Sequence, residues 1–163
     1  MTEKLSGLVN LPERSYWAYE LHPDLTLIVL DSEDNPERQV EWLEEQLEAP
    51  AREDHRFIVA FHRPLYPSIG GHAGYRAGQD AWMPVFRRHA GRILALSGHN
   101  HALAREQVDR VTMVTSGGGG APPYGCSQTH ADTRYCRNTH GYYACDASMK
   151  CIGYTVDPET GRK

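Results

Sequence analysis

Arg56-Phe57-Ile58-Val59-Ala60-Phe61-His62-Arg63-Pro64 and, further on, Arg92-Ile93-Leu94-Ala95-Leu96-Ser97-Gly98-His99-Asn100-His101 repeat one arrangement. Each is a short apolar run that stops at a histidine. A strand buried on both faces of a sheet reads as a continuous apolar run, and its end is where the chain first presents a polar side chain to a site. Between the two runs, residues 63–78 are rich in Pro, Gly and Ser and carry His72, so they read as a long loop of the kind that holds binding residues. Gln79 to His89 then reads as a helix, with Ala81, Trp82, Val85 and Phe86 toward the core and Gly91 as its stop signal. Strand, loop, helix and strand in this order define an α/β fold with both histidine turns on one sheet edge.

The flanking segments extend the same pattern. Tyr16–Leu21 and Leu25–Leu30 read as two strands joined through His22-Pro23-Asp24 as a hairpin. Asn35-Pro36 starts a helix whose apolar stripe is Val40, Leu43 and Leu47, and Pro50 ends it. Glu37, Glu41, Glu44, Glu45 and Glu48 form its solvated face. Beyond His101, Leu103–Val108 and Val111–Thr115 form a hairpin about Asp109-Arg110, and Tyr142–Cys145 and Cys151–Val156 add two strands. Residues 127–138 are polar and read as irregular. The architecture expected is a mixed, largely buried sheet, or two packed sheets, flanked by two helices in a single domain over residues 1–163.

The 163 residues are 40% hydrophobic with a formal charge of −4, which excludes a mostly disordered chain. There is no polybasic arm for nucleic acid, no signal segment at the start, and no run near the roughly 20 residues of a membrane span. Cys126, Cys136, Cys145 and Cys151 cluster in residues 126–151, without the paired C-x-x-C spacing of a zinc ribbon. Two disulfides, four reduced thiols or a zinc site all remain open, and compartment follows: secreted or periplasmic if oxidised, cytoplasmic otherwise. Residues 116–125 contain four consecutive glycines but lack the Lys-Ser/Thr ending of a phosphate-binding loop, so a turn passing close to neighbouring chain is the simpler reading.

A lone histidine at a strand end is usually structural. Here Gly98 precedes two histidines separated by one residue, and His62 ends a neighbouring strand, which offers three imidazole nitrogens at one edge. Imidazole suits zinc, iron and manganese, so His62, His99 and His101 are candidate metal ligands.

Phe61-His62-Arg63-Pro64-Leu65-Tyr66-Pro67-Ser68 and Ser97-Gly98-His99-Asn100-His101-Ala102 together resemble the last two metal-binding motifs of calcineurin-like metallophosphoesterases, most closely purple acid phosphatases. Val29–Ser32, Gln39–Leu43 and Val114–Gly118 extend the resemblance over most of residues 8–120. It implies an α/β/β/α fold of which this chain is the C-terminal half, with the N-terminal half missing. It implies metal-dependent hydrolysis of a phosphate ester at a binuclear site, with two ions of iron, zinc or manganese per complete site. His62 and His99 would hold one ion and His101 the other. His72 would be catalytic, near the leaving group, and Arg63 and Asn100 would touch substrate. The resembled family's D-x-H, G-D-x-x-D or G-D-x-x-Y, and G-N-H-D/E motifs do not occur, and Asp31, Asp80 and Asp109 lie in other contexts. The isolated chain is therefore expected to be weak or inactive as an enzyme. The alternative is a truncated, catalytically incompetent domain serving as a metal-binding or interaction module. A missing N-terminal segment or a second copy is expected to cover the apolar sheet left exposed.

Overall fold

The computed structural model describes residues 14–49, 55–157 and 159–160. Seven strands form one mixed sheet: β1 (Trp17–His22), β2 (Leu25–Val29), β3 (Arg56–Ala60), β4 (Ile93–Ser97), β5 (Leu103–Val108), β6 (Val111–Ser116) and β7 (Thr133–Arg137), in the order β1-β2-β3-β4-β6-β5-β7. The centre β2-β3-β4-β6 is parallel, and β1, β5 and β7 pair antiparallel with their neighbours. β8 (Gly141–Cys145) and β9 (Cys151–Thr155) form a separate two-stranded ribbon. The chain is thus a mixed α/β fold, and its second β layer is a short ribbon.

One face of the sheet packs against α1 (Val40–Glu48) and α2 (Arg76–Arg88). Phe57, Trp82, Phe86, Leu43 and Leu47 are fully buried between sheet and helices, each contributing about 1.5–3 kcal/mol by leaving water. The α1 stripe is the expected one, and its glutamates form the outer face. A 3-10 turn at Pro36–Gln39 precedes α1, with the Asn35 side chain accepting from the Glu37 amide. Gln39 is fully buried and grips Asp31 by both backbone groups, donating to its carbonyl at 2.7 Å and accepting from its amide at 2.9 Å. That pair fastens the C-terminal end of β2 to the helix start. The stop expected at Pro50 lies outside the described residues.

The opposite face carries Leu25, Ile58, Leu94 and Val114, covered partly by Tyr143, Cys145, Met149 and Cys151 of the ribbon and its turn. Toward the β1 edge the cover ends, and Tyr19 and Leu21 are 64% and 50% exposed.

Two expectations are corrected. α2 begins at Arg76, three residues before Gln79. Gly78, which reads as loop, lies inside the helix, and it is glycine there because a Cβ would come within 2.9 Å of the Leu65 side chain and closer still to the Tyr75 ring. Residues 127–138 are not wholly irregular: β7 pairs with β5 as a sheet edge despite its charged, half-exposed residues. An edge strand needs only one hydrogen-bonded side, so it can keep a polar composition.

Candidate metal centre

β2, β3 and β4 run parallel, so their C-terminal ends share one edge, where ligands bind in open α/β sheets. His62 follows β3 by two residues and His99 follows β4 by two. The turns are tied together: the Gly98 amide donates to the His62 carbonyl at 3.1 Å and the Arg63 amide to Ser32 Oγ at 3.1 Å. His62 Nε2 and His99 Nδ1 stand 2.9 Å apart. Two nitrogens each about 2.0–2.1 Å from one ion, at angles between square and tetrahedral, lie about 2.9–3.4 Å apart. The observed separation falls at the short end of that range and is equally a hydrogen-bond distance. As free imidazoles they share a hydrogen bond.

His99 has φ of 62°, a left-handed conformation uncommon outside glycine. The turn thus holds an imidazole where the backbone would prefer none, a pattern found at functional sites. Desolvation, and then the neighbouring His72 and His62, hold the His99 ring below the usual histidine pKa, favouring the neutral donor form.

His72 joins this pair, its ring centroid 4.1 Å from that of His99. His101 does not. Its ring stacks on Tyr124 at 4.2 Å, and its Nδ1 lies 3.2 Å from the Pro122 carbonyl. A carbonyl only accepts, so Nδ1 is the donor in that contact. Among the described residues no three His, Cys, Asp or Glu side chains converge in metal-holding geometry.

Arg63 and Asn100, expected at substrate, are engaged in positioning. Arg63 makes a bidentate pair with Glu33 at 2.6 and 2.8 Å. Asn100 is fully buried, and its amide nitrogen donates to the carbonyls of Ile69, Gly70 and His72 at 2.9–3.1 Å. The loop bearing His72 is thus clamped to the His99–His101 turn. Glu106, fully buried, accepts from the Ser68 amide at 3.0 Å and anchors the same loop, and burial pushes its carboxyl pKa up.

The three carboxylates nearest to replacing a bridging ligand are occupied elsewhere. Asp80 pairs with Arg76 and Asp109 with Arg87, while Asp31 accepts from the Glu33 amide. Cys126–Cys136 and Cys145–Cys151 form disulfides and no free cysteine remains, which resolves the three alternatives in favour of covalent bridges. Such bridges persist in oxidising, extracellular-type compartments. No helix among the described residues is long and apolar enough to cross a membrane.

Tyr124 escaped the sequence reading. It contacts the His72 and His101 rings, and its amide donates to the His101 carbonyl at 2.8 Å. The available signal was an aromatic residue directly after Pro122-Pro123 in a glycine-rich loop.

No protein-family model matches the chain, and no curated protein matches its sequence. Its structure is similar to that of GAP50, "the anchor in the inner membrane complex of Plasmodium", with a TM-score of 0.69 at 17% identity over 93% of this chain and 53% of that one. It is also similar to PhoD, with a TM-score of 0.55 at 15% identity over 88% of this chain and 38% of that one. The chain spans about half the length of the first and less of the second. At these identities the likeness is one of fold.

Proposed function

We propose that this chain provides the histidine half of a metal-dependent phosphoesterase site, with His62 and His99 holding a transition metal ion and His101 available to a second. The observation that carries this reading is the 2.9 Å separation of His62 Nε2 and His99 Nδ1 at the C-terminal edge of parallel strands. The fold's likeness to PhoD, a phosphatase-like enzyme, supports it. Iron, zinc and manganese fit the neutral nitrogen donors. When bound, such an ion supplies Lewis-acid polarisation of a phosphoryl oxygen.

The chain's own residues do the rest. His72, held beside His99 by the Asn100 clamp, takes on this reading the role of proton donor to the leaving-group oxygen. Arg63, locked to Glu33, fixes the turn after His62. Neutral imidazoles do not offset the repulsion between two divalent ions, so a complete binuclear site needs a bridging carboxylate that the described residues do not bring to the pair. Loaded with zinc or manganese, the chain alone should hydrolyse an aryl phosphate well below about 1 per second, and His99→Ala should reduce this to background. Background rates in both would refute catalysis by the isolated chain.

A second reading is an interaction module, favoured by the exposed Tyr19 and Leu21 at the sheet edge and by the fold's likeness to an anchor protein. On this reading the apolar face meets a further polypeptide, either an N-terminal segment or a second copy.

A further inference from the structure

The glycine run 117–120 is only half explained by the fold. A Cβ on Gly117 would collide with the Asn100 carbonyl, and one on Gly118 would lie 2.8–3.0 Å from backbone atoms of Gly141 and Thr139. Both glycines are required where the run passes under the histidine turn and beside β8. A Cβ on Gly119 or Gly120 would meet nothing within 4 Å, and Gly119 has no left-handed φ. Packing therefore does not demand glycine at 119. What lies beside it is an open cavity of about 430 Å³, lined by Gly118, Gly119, Gly120, His140, Tyr142 and Val156.

The lining sets the ligand class. Among the described residues no lysine or arginine lines the cavity, and the Gly141 amide on its wall is spent on the Gly118 carbonyl at 3.0 Å, so neither a cation nor that N–H is offered to a phosphate. Tyr142 is stacked on Tyr154 with centroids 5.3 Å apart, which stiffens one wall as a flat aromatic surface. The glycines admit a planar group edge-on, Val156 adds apolar surface, and His140 supplies a polar tip. The volume falls within the range of small-molecule sites. The run reaches this cavity one residue after Gly117, whose amide donates to the Ala102 carbonyl at 3.0 Å just beyond His101.

We propose that this cavity, reached by the glycine run from its contact with the Asn100–His101 turn, is a subsite for the aromatic alcohol portion of a phosphate ester. The proposal deepens the phosphoesterase reading and rests on it for the word ester. Binding of the aromatic portion can be tested separately. Fluorine NMR titration of the full chain with 4-fluorophenol should show saturable binding. Gly119→Leu, which fills the cavity from an unobstructed position, should weaken it by about tenfold or more, as exclusion of a fitted apolar group does. Saturable 4-fluorophenol binding by the unaltered, metal-loaded chain together with aryl phosphate turnover no higher than background would count against the phosphoesterase reading and leave the subsite standing. Absence of saturable binding, or equal affinity in Gly119→Leu with a native thermal transition, would overturn the subsite.

Discussion

His99 is the residue at which function and stability oppose one another. A non-glycine residue in the left-handed region costs on the order of 1–2 kcal/mol, and here the residue bears an imidazole aimed at His62. His99→Gly should therefore raise the thermal midpoint by about 2–4 °C per kcal/mol relieved, while abolishing metal uptake. A lowered midpoint in scanning calorimetry would show that the histidine supports the fold. Glu106 makes a second residue-scale case. Its folded pKa is raised above the ordinary 4.5, first by burial, with the Ser68 hydrogen bonds and the nearby His130 acting the other way. The folded state thus holds this proton more tightly, so the stability linked to it is full below the ordinary value and is lost as pH rises through the raised one. Glu106→Gln keeps an acceptor for the Ser68 amide and removes the ionisation. The difference between the two thermal midpoints, followed from about pH 4 to 8, should shift in favour of the glutamine variant as pH rises, and a constant difference would rule the linkage out.

At the scale of elements, legibility depended on whether a segment's chemistry was local. β3 and β4 are buried apolar runs, α1 has a periodic stripe, and Asp109 and Arg110, both with positive φ, form the expected tight turn. Burial and turn geometry leave marks in single residues. β7 left none, because its place is set by pairing with β5 and by the Cys126–Cys136 bridge, both non-local. The α2 start was obscured by Gly78, whose role is contact with Tyr75 and Leu65. Among the site residues, His62, His99 and His101 were read as a group from their spacing, and the structure brings together only the first two; the turn of His101 onto Tyr124, like the Asn100 clamp, depends on a loop path that no spacing reveals. The bridges themselves are testable. Closing loops of sequence separation 10 and 6 should contribute about 2–3 kcal/mol each. Material purified without reductant should resist alkylation at all four cysteines, and Cys145→Ser with Cys151→Ser should lower the midpoint of denaturant unfolding. Four alkylated thiols would contradict the bridges and the oxidising environment they imply.

For the whole molecule, the sheet has one face closed by two helices and the other closed only in part by the β8–β9 ribbon. The histidine pair lies at the C-terminal ends of the parallel strands, and His101 turns away from it onto Tyr124. Among the described residues no third ligand converges there, which agrees with the low activity expected of the chain alone. The central claim is that His62 and His99 together capture a transition metal. Its most direct test is elemental analysis after loading with zinc or manganese and exhaustive desalting, comparing the unaltered chain with His62→Ala/His99→Ala. The unaltered chain should retain about one tightly held ion and the double variant none. Equal metal content in the two, with both chains folded, would contradict the claim.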